Sequence, residues 1–277
     1  MDAGNAAHED RSAVEAHNRR GWDALARAGQ RLTHPAEARD FADPLARLDP
    51  RGWLAGAVRG KRILCLASGG GRQSALFAAA GALVTVVDLS PAMLAQDRDV
   101  AAQRGLDVRT IEASMDDLSA LGAATFDVVY QPVSTCYVPD VRAVYREVAR
   151  VLVGGGVYVS QHKQPASLQA EQRPLPGGGY AVSEAYYRTT PLPSVTGSLL
   201  REEGTLEFLH RWEDLVGGLC QCGFVIEDLV EPFHAELDAT EDSFGLRARY
   251  LPPYVRIKAR RVSDPTGTVE TRALWTP

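Results

Sequence analysis

One stretch constrains the fold of this chain more than any other: residues 62–88, RILCLASGGGRQSALFAAAGALVTVVD. Residues 63–66 are a short apolar run, suited to a strand buried on both faces. Gly69, Gly70 and Gly71 predict a tight turn. Residues 74–80 are small and alanine-rich, which favours helix, and Gly81 stops it. Residues 83–87 predict a second buried strand, ending at an acid, Asp88. The product is a βαβ unit whose first turn lets a ligand approach the backbone. The acid on the second strand is placed for ribose hydroxyls. This points to a nucleoside-bearing ligand.

Three ligands compete for such a turn. A phosphate-binding loop needs Gly-Lys-Ser/Thr, with the lysine on phosphate. Arg72, Gln73 and Ser74 stand there instead, which argues against ATP or GTP bound in that way. A dinucleotide site wants glycine where Ser74 stands, for close helix packing beside a pyrophosphate. Serine weakens NAD without removing it. S-adenosylmethionine has a ribose and no phosphate, and its methionine part needs close backbone approach plus polar partners. The turn alone does not choose between these.

Size and charge narrow the class. The 277 residues are enough for one large α/β domain with a small cap, and 45% hydrophobic content supports a sizeable core. A net charge of −5 argues against nucleic-acid binding, which usually needs a basic stripe. The basic residues near 256–261 alternate with apolar ones, as on a solvated strand face. Cys65 falls in the first strand, and Cys220 and Cys222 are too close to staple usefully. With no second ligand pair there is no zinc pattern, and a reducing, cytoplasmic setting is expected. No run is long and apolar enough to span a bilayer, so no membrane partner is expected.

Further along, residues 10–29 predict a helix with Val14, His17, Trp22, Leu25 and Ala26 near one face. Residues 33–50, punctuated by prolines, predict loop with short helices. Ser90 caps a helix over 91–104 with Pro91 at its first position. Strands are expected at 108–112, 126–130 and 157–160, and a helix over 139–152. Gly154, Gly155 and Gly156 predict a turn before the fifth strand. Residues 161–205 are rich in proline, glycine and tyrosine, and such length is normally functional; a cap over the carboxyl edge of the sheet is expected. A helix over 209–222 and strands over 224–229 and 254–260 complete the chain. The expected division is 1–60 as an N-terminal helical segment, 61–261 as the main domain with a cap insertion at about 161–208, and 262–277 as a peripheral tail.

In this order the elements resemble the class I S-adenosylmethionine-dependent methyltransferases, small-molecule type. ILCLASGGG, at 63–71, is similar to their first motif, an apolar run with an acid followed by G-x-G-x-G. Asp88 matches the ribose-binding acid. Ala113, Ser114 and Met115 match the segment that flanks the adenine. Gln131, Pro132, Val133 and Ser134 match the position next to the sulfonium and the acceptor. Residues 152–156 resemble the L-x-P-G-G turn before strand five. The resemblance implies an α/β, doubly wound, seven-stranded, mostly parallel sheet with an antiparallel last strand, helices on both faces and a small cap. It implies S-adenosylmethionine as cofactor, held by Ala67, Ser68, Gly69, Gly71, Asp88, Leu89, Ser114, Met115, Gln131 and Val133. The chain departs from the pattern at Cys65 for the acid, Ala67 for the first glycine, Ser114 for an Asp and Val153 for a Pro. Asp116 is available to assist Ser114.

Methyl transfer from a sulfonium is an in-line displacement with an excellent leaving group, so placement of the acceptor dominates. The catalytic candidates are His162, Tyr187 and Ser134. His162 follows strand five and titrates near neutrality; a hydrogen bond to a loop carbonyl is its plain structural alternative. Tyr187 would face the cationic sulfonium with its ring. Lys163 and Arg188 would clamp an acceptor carboxylate, or lie at the surface. Trp22 would close the pocket, or dock its helix. The expected activity is methyl transfer to a small molecule by a monomer or homodimer. Cyclisation or lysis of the cofactor's own chain, with release of methylthioadenosine, is the alternative; non-catalytic binding is a third reading and an NAD-dependent reductase a distant fourth.

Overall fold

The computed structural model describes residues 3–55, 58–240 and 242–262. The tail expected over 262–277 therefore lies, beyond Val262, outside the described residues. The chain opens with α1 (Ala3–Arg27) and a short α2 (Pro44–Leu48). Alternation follows through β1 (Arg62–Leu66), α3 (Gln73–Ala79), β2 (Leu83–Asp88), α4 (Pro91–Arg104), β3 (Val108–Glu112) and β4 (Phe126–Gln131). Then come α5 (Val141–Val151), β5 (Leu152–Lys163), a short α6 (Pro165–Gln169) and α7 (Gly218–Gln221). β6 (Phe224–Val230), a short α8 (Phe244–Ala248) and β7 (Tyr254–Arg261) close the domain.

The seven strands form one sheet in the order β3-β2-β1-β4-β5-β7-β6. β1 to β5 pair in parallel, and β7 runs antiparallel to both neighbours, β5 and β6. This is the expected doubly wound sheet. Its first five strands end on one edge, and the order reverses between β1 and β4, the crevice where such sheets bind ligands. Leu64, Val129, Tyr145 and Tyr158 fill the core on one face; Ile63, Leu76, Phe77 and Val86 fill it on the other.

Three elements differ from expectation. The glycines at 154–156 do not form a turn ahead of β5 but lie inside it. β4 pairs at Phe126 with Leu152 and resumes at Val128 with Val157, so the glycines fill a register shift. The helix expected over 209–222 begins later, with a π-helical turn at Glu213–Gly217 that runs into α7. Residues 208–210 are taken by another partner: Phe208 N donates to Cys136 O (2.7 Å), and His210 Nε2 lies 2.9 Å from Thr135 O. α1 begins earlier than expected and packs through Val14 and Ala26, with Trp22 partly buried. Its buried Asn18 and Asp23, both polar, interrupt the apolar face that the periodicity marks.

Those two residues tie α1 across the carboxyl edge. Asn18 donates to Tyr137 O (2.9 Å) and Leu206 O (3.1 Å) and accepts from Leu206 N (2.7 Å). Asp23 accepts from the Ser90 hydroxyl (2.6 Å) and Ala92 N (3.1 Å), where α4 starts. Residues 161–208 run beside this edge with little regular structure. Leu168, Leu192, Leu200 and Leu209 give them a small core of their own.

Candidate functional site

A cleft of about 310 Å³ opens between α1 and the ends of β1, β2, β3 and β4. Its floor is the glycine turn. Ala67 leaves β1 in the left-handed region (φ 45°), and Gly70 and Gly71 follow at φ 110° and 70°. Only glycine adopts such angles freely, so the alanine carries a backbone cost that a glycine would not. A side chain at Gly69 would stand 2.7 Å from Met93 Cβ and 3.0 Å from the Asp88 carboxyl.

Two carboxylates hold this turn. Gly69 N donates to Asp88 (2.8 Å), while Gly70 N and Gly71 N donate to the two oxygens of Asp97 (2.9 and 3.0 Å). The Ser74 hydroxyl also donates to Asp97. Asp97 stands on α4, aimed inward because Ser90 and Pro91 fix where that helix begins. It is fully buried, and desolvation pushes its carboxyl up to about 6, against the opposing hydrogen bonds from Ser74, Gly70 and Gly71. The sequence contained this residue but nothing in the local pattern marked it. The fold brings it beneath the turn, near the buried Cys65, whose thiol is pushed up by burial and by the charge of Asp97.

Asp88 ends β2 at the cleft, accepting also from Ser90 N (2.9 Å). Burial raises its pKa, and the amides of Ser90, Gly69 and Leu89 oppose that shift. Ser114 follows β3 and donates to Asp116 (2.5 Å). Asp116 is held in turn by Arg11 of α1 (3.1 Å). A serine alone would lack charge here; the Ser114–Asp116 pair has it.

Of the residues singled out from the sequence, Ala67, Ser68, Gly69, Asp88, Leu89, Ser114, Met115, Val133 and Ser134 line this one cleft. Gly71 and Gln131 stand behind it. Gln131 is buried and donates to Ser134 Oγ (2.8 Å) and toward Met115 Sδ (3.2 Å), while accepting from the Tyr158 hydroxyl. Two catalytic candidates are not brought to the cleft. His162 is fully buried between Thr135 Oγ1 and Ser160 Oγ, each at 2.8 Å. Burial, with His210 nearby, drives its pKa down to about 3, which leaves it a neutral core group rather than a base. Its strand position is as expected, but its side chain points inward. Tyr187 is 77% exposed, edge to face with Tyr186 and under the Arg211 guanidinium.

Other groups reach the cleft, and apart from Tyr137, whose place after a strand end was readable, they carried no local signal. Tyr137 follows β4, Gln161 and Tyr254 stand on paired strands, and Glu202 comes from the long segment after β5. Lys163 lies buried between Glu202 and Glu207 rather than free to clamp a carboxylate. Arg188 pairs with Glu184. Trp22 both lines the cleft and packs edge to face on Tyr137 (5.3 Å). Among the described residues no group of His, Cys, Asp or Glu could hold a metal ion, and no helix is long and apolar enough to cross a membrane.

The cleft fits a nucleoside with an amino-acid tail better than a phosphate. All three glycine amides of the turn are committed to Asp88 and Asp97, leaving none to cradle a phosphate. The Ser68 hydroxyl is buried at the cleft with no partner among the described residues, an orphaned polar atom that fits the polar tail of such a ligand.

Comparison with known proteins agrees. A family model described as a methyltransferase domain matches residues 64–160. A curated relative, the uncharacterized methyltransferase YbaJ of Bacillus subtilis, is 33% identical over 79% of this chain and 91% of its own length. Among solved structures, an S-adenosylmethionine dependent methyltransferase from Mesorhizobium loti superposes with a TM-score of 0.61 at 24% identity, covering 77% of this chain and 97% of that one. The geranyl diphosphate C-methyltransferase of Streptomyces coelicolor, in complex with S-adenosyl-L-homocysteine, gives a TM-score of 0.60 at 16% identity, covering 90% and 98%. The sheet order, the turn and the relative that matches along nine-tenths of its length place this chain in the class I S-adenosylmethionine-dependent methyltransferases, with S-adenosylmethionine as its cofactor.

Proposed function

We propose that the protein transfers a methyl group to a small-molecule acceptor. The observation that carries this reading is one continuous cleft. It runs from the glycine turn and Asp88 to Tyr137, Glu202 and Tyr254, giving a second molecule a place beside the cofactor residues. When bound, S-adenosylmethionine supplies an activated methyl group on a sulfonium. In this reading Asp88 receives the ribose hydroxyls, its carboxyl aimed by Gly69 N and Ser90 N. Ser114 and Asp116 take the adenine amine, and Leu89, Met115 and Val133 flank the ring. Ala67, Ser68 and Gly69 meet the amino-acid part, for which the free Ser68 hydroxyl is support. Gly71 and Gln131 act from behind, through Asp97 and through Ser134. The protein contributes mainly by fixing both partners in line.

A small molecule suits the acidic chain better than nucleic acid does. A solved neighbour's acceptor, geranyl diphosphate, is itself a small molecule. The described cysteines are all free, which suits a cytoplasmic setting. Reaction of the cofactor with its own chain would be favoured by a tyrosine-rich cap sealing the cleft. Tyr180, Tyr186 and Tyr187 do not line it, so that reading lacks its structural support.

The test is incubation with methyl-labelled S-adenosylmethionine and pooled small metabolites, followed by mass spectrometry. S-adenosylhomocysteine and a labelled acceptor are the expected products. Methylthioadenosine formed without acceptor would overturn the proposal, as would cofactor binding with no turnover from any pool.

A further inference from the structure

The far end of the cleft is built round buried charges that the cofactor contacts leave unused. Lys163, the last residue of β5, is almost wholly buried, with Nζ 2.5 Å from Glu202 Oε2 and 3.0 Å from Glu207 Oε2. The Tyr137 hydroxyl donates to the same Glu202 oxygen at 2.5 Å. Arg201 Nε stands 3.5 Å from Glu207 Oε1, which also accepts from the backbone N–H of Glu202 (3.1 Å). Of this array only Glu202 and Tyr137 reach the cleft. Glu202 Oε2 thus has two donors, while Oε1 accepts from none of the described residues.

Burying a lysine and two carboxylates costs several kcal/mol before their mutual attraction is counted. Such an array at the wall of a pocket is a functional-site candidate, since packing alone is served better by apolar side chains. Burial works against the Lys163 ammonium, but Cys136, Glu202 and Glu207 raise its pKa above the ordinary value, so it stays charged. It holds the Glu202 carboxylate fixed. The arginines that line the cleft are engaged nearer the turn: Arg11 with Glu15 and Asp116, and Arg72 with the His34 carbonyl. Trp22, Tyr137, Val138 and Tyr254 give this end aromatic and apolar walls.

We propose that Glu202 binds and orients a basic nitrogen of the acceptor, so that the acceptor class is an amine on an aromatic or apolar body. This rests on the methyl-transfer reading above. The amine enters neutral, its ammonium proton having gone to solvent. The nitrogen lone pair forms the N–C bond as the C–S bond breaks, the electron pair of that bond remaining on sulfur. Positive charge moves from sulfur to nitrogen, and Glu202 stabilises it through an N–H···O hydrogen bond. One N–H proton then leaves through Glu202 to solvent. Because the charge on nitrogen develops in the transition state, this contact lowers the barrier and is not confined to binding. An acceptor carboxylate would meet like charge in the same place.

The test uses the full-length protein saturated with S-adenosylhomocysteine, titrated in a calorimeter with phenethylamine and with hydrocinnamate. The two probes match in size and differ in the sign of their charge. Phenethylamine is expected to bind at least about tenfold more tightly than hydrocinnamate. Glu202→Gln is expected to erase that preference while S-adenosylhomocysteine affinity stays within about twofold. Glu202→Asp, which keeps the charge and withdraws it by one methylene, is expected to weaken the preference without reversing it, and guards against misfolding of the first variant. Equal binding of the probes, no binding of either, or a preference that survives Glu202→Gln would overturn the proposal. A wild-type protein that binds no S-adenosylhomocysteine would instead strike at the methyl-transfer reading itself.

Discussion

The two ends of the cleft are built in opposite ways. At the turn end, Ala67 to Gly71, Asp88 and Ser114 to Asp116 each follow directly from β1, β2 and β3. Parallel strands deliver those positions to one edge whatever the loops do. At the Glu202 end the residues come from four separate places: α1, the segment after β4, the segment after β5, and the start of β7. Buried ion pairs and the Asn18 clamp hold them, together with the pairing of Lys163 and Tyr254 across β5 and β7. The contrast teaches where each property is encoded. On the proposed reading, cofactor geometry follows from the sheet, while acceptor geometry depends on long-range packing that a few substitutions can undo.

The largest expected effect tests that dependence. Lys163→Met would leave Glu202 and Glu207 without their shared cation. Removing one partner of a buried ionic cluster costs about 3–5 kcal/mol. For a chain of this size that lowers the melting temperature by on the order of 10 °C. S-adenosylhomocysteine affinity, measured below the transition, should hardly change. A parallel loss of affinity would show the two ends to be one cooperative unit and end the contrast. Asp88→Ala is the mirror experiment. On the proposed ribose role, two hydrogen bonds to a charged group vanish, worth about 3 kcal/mol or about a hundredfold in affinity by calorimetry. The preference for an amine probe at the far end should survive wherever the cofactor site can still be saturated.

The same contrast governs what the sequence could tell. The strand–turn–helix–strand periodicity at 62–88 is local, and so was readable, as was the helix that Ser90 caps. Nine of the residues chosen on this basis line one cleft because position at a strand end fixes location. His162 shows the limit of that logic. Its position at the end of β5 was readable, but a strand alternates its side chains, and this one points into the core against Thr135 and Ser160. Asp97 was missed because nothing at 97 distinguishes an inward carboxylate from a solvated helix face. Its partners, Gly70, Gly71 and Ser74, lie more than 20 residues away. Glu202 and Lys163 pair at a separation of 39 positions along mostly irregular chain, which no periodicity reports.

Asp97 also offers a pH experiment of intermediate size. Its folded pKa of about 6 lies above the ordinary aspartate value of 3.8. Between those values the folded state holds more of the proton than the unfolded chain does. The contribution of Asp97 to stability therefore falls as pH rises from about 4 to about 6, by no more than about 3 kcal/mol, and stays at that lower level above. Asp97→Asn lacks this slope. Urea unfolding of both proteins across that range should show their stability difference changing with pH only over that interval. Glu227, whose carboxyl the Arg260 guanidinium holds down to about 2, has the opposite slope at lower pH but is common to both proteins and cancels. A flat difference would mean that Asp97 is ionised throughout and carries less strain than its burial implies.

The smallest expected effect concerns a residue at neither end. Tyr187 is 77% exposed, with its ring edge to face on Tyr186 and under the Arg211 guanidinium. An exposed cation–π contact is worth about 0.5–1 kcal/mol, so Tyr187→Ala should change stability by about that much or less. It should leave S-adenosylhomocysteine affinity and the amine preference unchanged, because the ring lines a depression by His210 and Asp214, apart from the cleft. Turnover with any identified acceptor distinguishes a static surface residue from one that moves. An unchanged KM and kcat would confine specificity to the Glu202 end. A raised KM with cofactor affinity intact would mean that the segment carrying Tyr187 folds over the acceptor during the reaction, adding a third, mobile wall to a site now described by two fixed ends.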